Sequence, residues 1–567
     1  MPESSPSRTA FFGPTRSLLE RRCDALWLTV VWMAAAAAAW WAVQPGMLLP
    51  DDWNGLPEIV WVILVVRGGL GAKRGWVAFW IGWLCFIPAW LITLAWIGDI
   101  SVAGWPSLAI YSAFYPPTMV VLIRWLSTCR RLPVVLVGGV VGVSLEYVRA
   151  EVLFDSWPFH LIGSGMPDGS NALLAQWGGL WLVTLVIMFT GVLCVNSLMW
   201  GRFTKCDGVV VVLLIGTSFL PLPDGPIEAA PLRVLAVQTN LPQSNKMGWS
   251  HEQQAKDLAH FKALTMAGLS EAGDVDLVVW PETMVPGLGF DPDTMALLDQ
   301  LGPRVEPWRR GSLLLQQAAD QTGVPWLVGS PTWTGVTIVE DRLEPTHRYN
   351  SAVLVEPDGS VERYDKIFLT PFGETMPYAR NWKWLEESVM DFGAAGMRFN
   401  LDVGVGPQLL DVSNDTGQWS IAVPICFEDA VPSVVRELAV VDGVTQADVL
   451  INISNDGWFG GSDAGRQSHE QAAIWRALEL GRPMLRVANT GITSLLLPDG
   501  SVAGTLEPRT DGTLVAEIPR YEGTTLYARW GNWLPRLCLL LLLAGVVVRC
   551  VFGPDESQAT TDLSSAA

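Results

Sequence analysis

Histidine, cysteine and positive charge are what this 567-residue chain has least of. The five histidines (His160, His251, His260, His347, His469) are scattered and no Cys/His spacing resembles a zinc site, so neither metal nor other cofactor is expected. Lys and Arg number 37 against 56 Asp and Glu. The resulting net charge of −19 argues against a nucleic-acid partner, because phosphate binding needs a basic footprint. Cysteine is confined to the ends: Cys23, Cys85, Cys129, Cys194, Cys206, Cys538 and Cys550 all lie before residue 210 or after 535. Cys426 stands alone between them. Beyond the alanine run at 34–39 there is no low-complexity tract, repeat or heptad pattern.

Apolar length is abundant. The chain is 50% hydrophobic with 29 tryptophans, and its apolar blocks fall at 25–43, 56–71, 75–97, 107–126, 133–152, 174–200, 207–221 and 535–552. Several approach the ~20 residues that cross a bilayer. The first block has no clear small-residue cleavage site and more blocks follow it, so it reads as an anchor rather than a signal peptide. Basic residues gather at Arg16, Arg21 and Arg22, at Arg67, Lys73 and Arg74, at Arg124, Arg130 and Arg131, and at Arg202 and Lys205. The loops between are acidic or neutral: Asp51, Asp52 and Glu58, then Asp99, then Glu151, Asp155 and Asp168. This alternation obeys the positive-inside rule with a cytoplasmic N-terminus. The expected organisation is a cytoplasmic segment (1–24), a membrane domain of seven spans (25–221), an exported domain (222–530), an eighth span (535–552) and a cytoplasmic tail (553–567).

Within the exported region the pattern changes. Short apolar runs at 233–240, 275–282, 324–330, 351–359, 420–428, 447–456 and 492–500 are bounded by polar residues or Gly and Pro, as buried strands are. Helical patterns cover 250–270, 307–322 and 465–481, so the region reads as α/β.

Three strands end at or near reactive side chains. "VVWPE" ends at Glu282, "RYDKIFLTPFGE" carries Lys366 and Glu374, and "VPIC" ends at Cys426. A lone cysteine in an apolar run is more often core filler than nucleophile. In this company it completes a set for acyl transfer: a thiol to attack, a carboxylate to take its proton, and an ammonium to meet charge on the carbonyl oxygen.

The strings "WPET" (280–283), "YDKIFLTPFGE" (364–374) and "CFED" (426–429) give the region a likeness to the carbon–nitrogen hydrolase (nitrilase) superfamily. "NISNDGWFG" (452–460), "RALELGRPMLRVANTG" (476–491), "FDSWPFHLIGSG" (154–165) and the surrounding spans narrow it. Over residues 25–552 the chain resembles the membrane branch of that superfamily, the apolipoprotein N-acyltransferases. The resemblance implies a polytopic membrane domain of about eight spans carrying a nitrilase-like α-β-β-α sandwich on the periplasmic face of a bacterial inner membrane. It implies that Glu282 is the general base, Lys366 the stabilising cation and Cys426 the nucleophile, with Glu374 and Glu428 in support and the Phe427 N–H as an oxyanion donor. The implied reaction passes an acyl chain from a phospholipid through a Cys426 thioester to the N-terminal amine of a diacylglyceryl-modified apolipoprotein.

The sequence departs from its relatives in two places. Phe427 replaces their usual Tyr, removing a hydroxyl, and "QSNKMGW" (243–249) has Met247 where they carry Trp, with Trp249 two residues on. Segment 378–399 reads as a mobile lid or membrane-dipping loop, or else as a buried helical hairpin, and the glycines of 457–465 suit a second gating loop. His469 reads as a structural cap or as part of the substrate lining. The competing function is a membrane-tethered amidase or nitrilase acting on a small amide, for which one span would suffice. A catalytically dead sensor is disfavoured because Glu282, Lys366 and Cys426 are all present.

Overall fold

A computed structural model describes residues 18–44, 55–129, 131–165, 171–199, 201, 203–221, 225–243, 248–375, 401–415 and 417–554, with side chains from residue 26. Segment 378–399, Met247 and the two chain ends lie outside the described residues.

Every apolar block contains helix. Gly75–Thr93, Gly104–Ser127, Leu180–Leu198 and Trp533–Phe552 are long and apolar enough to cross a membrane. Leu18–Ala42 is apolar from Leu26 onward, and Leu56–Gly71, Val134–Tyr147 and Lys205–Thr217 are shorter. Small residues let these helices approach. Cβ atoms added at Gly138, Gly139 and Gly142 would come within 2.7, 2.2 and 2.7 Å of Val192, Phe189 and Met188 on the neighbouring helix. Lipid offers no hydrophobic drive for association, so close backbone contact supplies it.

The α/β region is two six-stranded sheets. Its strands are β1 (Leu232–Gln238), β2 (Leu277–Val279), β3 (Trp326–Thr334), a small hairpin of β4 (Thr337–Val339) and β5 (Arg342–Glu344), β6 (His347–Val355) and β7 (Val361–Asp365). These are followed by β8 (Leu409–Asn414), β9 (Gly417–Ala422), the short pair β10 (Val440–Val441) and β11 (Val444–Thr445), and β12 (Val449–Ser454). Last come β13 (Met484–Ala488), β14 (Thr493–Leu496), β15 (Val502–Leu506) and β16 (Gly512–Ile518). The first sheet runs β16-β1-β2-β3-β6-β7 and the second β15-β14-β13-β12-β9-β8. In each, three parallel strands (β1, β2, β3; β9, β12, β13) form the centre and antiparallel strands flank them.

Alternation along the strands shows why the sheets stack. Leu235, Val237, Val278, Trp326, Val328, Val353 and Val355 pack with Leu258, Phe261, Leu315 and Ala318 of the helices His251–Ala272 and Glu306–Thr322. Their neighbours Val234, Ala236, Leu277, Val279, Leu327, Ala352 and Leu354 join the core shared with the second sheet. The second sheet is covered in turn by Pro432–Ala439 and Asp463–Leu480, completing an α-β-β-α order. Buried on both faces, the central strands are almost wholly apolar.

The expected runs coincide with β1, β2, β3, β6, β9, β12 and β14. Nine strands lie outside those runs: the short pairs β4/β5 and β10/β11, and five strands of the two large sheets. β7, β8, β15 and β16 are edge or flanking strands with alternating exposure, and β13 carries a fully buried arginine, Arg486, inside an apolar run.

Candidate active site

The three reactive side chains come from both sheets. Glu282 follows β2, Lys366 follows β7, and Cys426 opens a tight turn, Cys426–Ala430, after β9. Strained backbone lies at or near the site. Cys426 has φ 52°, Thr283 beside Glu282 has φ 54°, and Phe372 in the "PFGE" loop has φ 60°. A non-glycine residue in this region costs on the order of 1 kcal/mol or more and persists only where its surroundings enforce it.

A chain of short contacts links the charged groups. Lys366 Nζ lies 2.7 Å from Glu374 Oε2 and donates to Thr370 Oγ1 at 3.2 Å. Among the described residues its third proton has no acceptor. Asn350 Nδ2 donates to Glu282 Oε1 at 2.7 Å and to Glu374 Oε1 at 3.2 Å, so one amide bridges both carboxylates. The Asn455 N–H donates to Glu282 Oε2 at 2.9 Å. Glu282 and Lys366 are buried, and Cys426 is half-buried.

Charge follows from that packing. Burial opposes the charge on Lys366, but Glu374 foremost, then Cys426, Glu282 and Glu428, raise it well above its ordinary value. It stays an ammonium. Burial raises the Cys426 thiol and the nearby Glu282 carboxylate raises it further, with Lys366 opposing. The resting sulfur is therefore a thiol, which would have to lose its proton to serve as a nucleophile.

Glu428 is placed differently from the other carboxylates. Fully buried, it accepts from Tyr364 Oη at 2.9 Å, from the Ile367 and Phe368 N–H groups at 2.9 Å each, and from the Ile425 N–H at 2.8 Å. It clamps the segment after Lys366 to the turn of Cys426. Burial raises it to about 7, against the pull of Lys366 and these donors.

The carbon–nitrogen hydrolase family matches residues 236–526. Apolipoprotein N-acyltransferase from Azotobacter vinelandii is 31% identical over 529 residues, covering 89% of this chain and 93% of that protein. The chain belongs to the apolipoprotein N-acyltransferase family. The Rhodopseudomonas palustris and Geobacter metallireducens proteins of the same name are 27% and 28% identical, covering 92% and 88% of this chain and 94% and 92% of theirs. Among solved structures, a carbon–nitrogen hydrolase from Helicobacter pylori G27 has 14% identity and a TM-score of 0.35, covering 56% of this chain and 92% of that one. An N-acyltransferase of this family is an enzyme, and the apolar helices fit a membrane protein.

The Phe427 N–H, expected as an oxyanion donor, has no acceptor among the described residues, while the Phe427 ring packs between Phe159 at 5.8 Å and Phe368 at 6.3 Å. Trp249 donates from Nε1 to Asp257 at 2.7 Å and packs on the first sheet's helical layer. The 457–465 loop is tethered: Arg466 donates to the carbonyls of Ser462 and Gly460, Arg509 to that of Gly461, and Phe459 meets Trp96 at 5.0 Å. His469 is neither a cap nor part of a lining. The N-cap of its helix is Ser462, and the ring is only 2% exposed, bonded to Asp429 and Asp456.

Sequence reasoning also passed over Asn350, Asn455 and Tyr364. An asparagine inside the β6 run "RYNSAVLV" was the available signal for the first of these, since a buried amide demands partners.

Proposed function

We propose that this enzyme acylates the N-terminal amine of S-diacylglyceryl-cysteine in apolipoproteins, using a phospholipid as acyl donor and Cys426 as the covalent carrier. Cys426 Sγ attacks the ester carbonyl while Glu282 takes the thiol proton. The oxyanion that forms is met by Lys366 Nζ and the Phe427 N–H. The C–O bond breaks, Glu282 returns the proton to the leaving glyceryl oxygen, and a lysophospholipid departs. In the second half the α-amine attacks the thioester, Glu282 accepts its proton, the C–S bond breaks, and Glu282 returns that proton to the leaving sulfur to regenerate the thiol. Glu374 orients Lys366, and Glu428 fixes the nucleophile's turn.

The observation that carries this reading is the continuous contact chain Lys366–Glu374–Asn350–Glu282 beside the Cys426 turn. Alternating loop charge supports eight spans in a bacterial inner membrane, with 25–221 and 535–552 embedded and 222–530 on the periplasmic face. That arrangement puts the thiol at a lipid boundary, where a thioester is shielded from water. The amidase alternative leaves the helices before residue 222 without a purpose.

The deciding assay supplies purified enzyme with phospholipid and a diacylglyceryl-cysteine peptide. Wild type should yield an acyl-enzyme by mass spectrometry and then N-acylated peptide, and Cys426→Ala neither. A normal acyl-enzyme in Cys426→Ala refutes the nucleophile, and release of free fatty acid or ammonia without N-acylation favours the hydrolase.

A further inference from the structure

His251, His260 and His347 are exposed, but His469 is enclosed in charge. Its Nε2 lies 2.7 Å from Asp429 Oδ1, and its Nδ1 lies 3.0 Å from Asp456 Oδ1 and 2.7 Å from Arg486 Nη2. All four side chains are nearly or fully buried.

The two aspartates belong to different parts of the site. Asp429 sits in the turn that Cys426 opens. Asp456 follows Asn455, whose N–H holds Glu282. Asp456 is well supplied: Arg486 Nη2 reaches both its oxygens at 3.1 and 2.9 Å, and Ser454 Oγ donates at 2.8 Å. Asp429 is not. Among the described residues His469 is the only hydrogen-bond partner of its carboxylate, with Arg486 Nε at 3.6 Å, beyond hydrogen-bond range.

We propose that His469 is a positioning residue that ties the turn carrying Cys426 to the loop holding Glu282, and so sets the separation of nucleophile and base. The inference rests on the thioester reading above. Without the ring, Asp429 is a buried carboxylate with no hydrogen-bond partner. It must take up a proton or draw its turn toward Arg486, displacing the sulfur. A displacement of about 1 Å at a reacting atom costs up to ~100-fold in rate. Substrate affinity should hold, because the enclosed ring offers substrate no surface.

The test uses full-length enzyme with phosphatidylethanolamine and a diacylglyceryl-cysteine peptide. His469→Leu should lower kcat by about tenfold or more with KM for phospholipid within about twofold. Adding Asp429→Asn to His469→Leu removes the stranded charge and should restore about threefold or more of the loss. A purely structural role in helix packing would not be repaired from residue 429. His469→Gln, which keeps an N–H donor, should lose more than twofold in kcat but less than His469→Leu, and it decides the matter if the leucine variant does not reach the membrane. The inference is overturned if kcat of His469→Leu, or of His469→Gln in its place, stays within twofold of wild type. It is equally overturned if the double variant is no better than His469→Leu. Failure of the thioester reading shows separately, as product formed by Cys426→Ala.

Discussion

Replacing Glu428 by glutamine changes one atom, yet the backbone groups around that side chain are all donors. Oε1 accepts from the Ile367 and Phe368 N–H groups, and Oε2 accepts from the Ile425 N–H. A glutamine that keeps its oxygen toward Ile367 and Phe368 turns its NH2 onto the Ile425 N–H. The reverse orientation sets NH2 against two backbone donors. Either way a buried backbone N–H loses its acceptor, at about 1–3 kcal/mol. In the first orientation that N–H belongs to the residue immediately before Cys426. If about 2 kcal/mol of the loss appears in the transition state, kcat falls roughly 30-fold. The measurement is the rate of thioester formation with phospholipid in single turnover, at fixed pH near neutrality. Because burial holds the Glu428 carboxyl at about 7, wild type should also lose rate below that pH, and the variant should lack this part of the profile. A Glu428→Gln enzyme with kcat within twofold of wild type on both sides of neutrality would refute the clamp.

Three further outcomes follow from packing and charge. A Cβ at Gly329 on β3 would lie 2.4 Å from the Thr283 nitrogen and 2.5 Å from both Glu282 Cα and the Pro281 carbonyl. Gly329→Ala must therefore push the backbone of Glu282, and acyl transfer should drop about tenfold or more in the peptide assay. Asn350→Leu removes the amide between Glu282 and Glu374, and should slow thioester formation while leaving the fold's thermal midpoint within a few degrees, by calorimetry. Burial opposes the charge of His469, but Asp429 and Asp456 outweigh both burial and Arg486, raising it from 6.5 to about 9. Its stabilisation is complete below about pH 6.5 and is lost as pH rises to 9, so wild type should lose thermal stability across that window more than His469→Gln does.

Glu282 and Cys426 were legible because each follows a mostly apolar run in a distinctive string, and Lys366 through its string alone, since β7 is largely polar. What escaped was polar and buried. Arg486 interrupts β13, Asp429 and Asp456 look like loop residues, and their partner His469 is 40 residues from one and 13 from the other. Local pattern reports period and punctuation, whereas a buried charge is explained by a partner that only the fold supplies. The helices were legible for the opposite reason, since apolar length depends on no distant partner. Their number as spans was less so: four helices among the described residues are long and apolar enough to cross, while Leu56–Gly71 and Val134–Tyr147 are shorter than a bilayer needs without local thinning.

The closing of the first sheet has a consequence for timing. β1 is paired on one side by β2 and on the other by β16, so Leu232 meets Ile518. A ribosome has made Glu282, Lys366 and Cys426 long before β16 leaves it. Until then the β1 edge, with Val234 and Ala236 next to it, has no antiparallel partner. β16 is made after every other strand, just ahead of the helix Trp533–Phe552. A chain halted before residue 512 carries Glu282, Lys366 and Cys426 but leaves the β1 edge open.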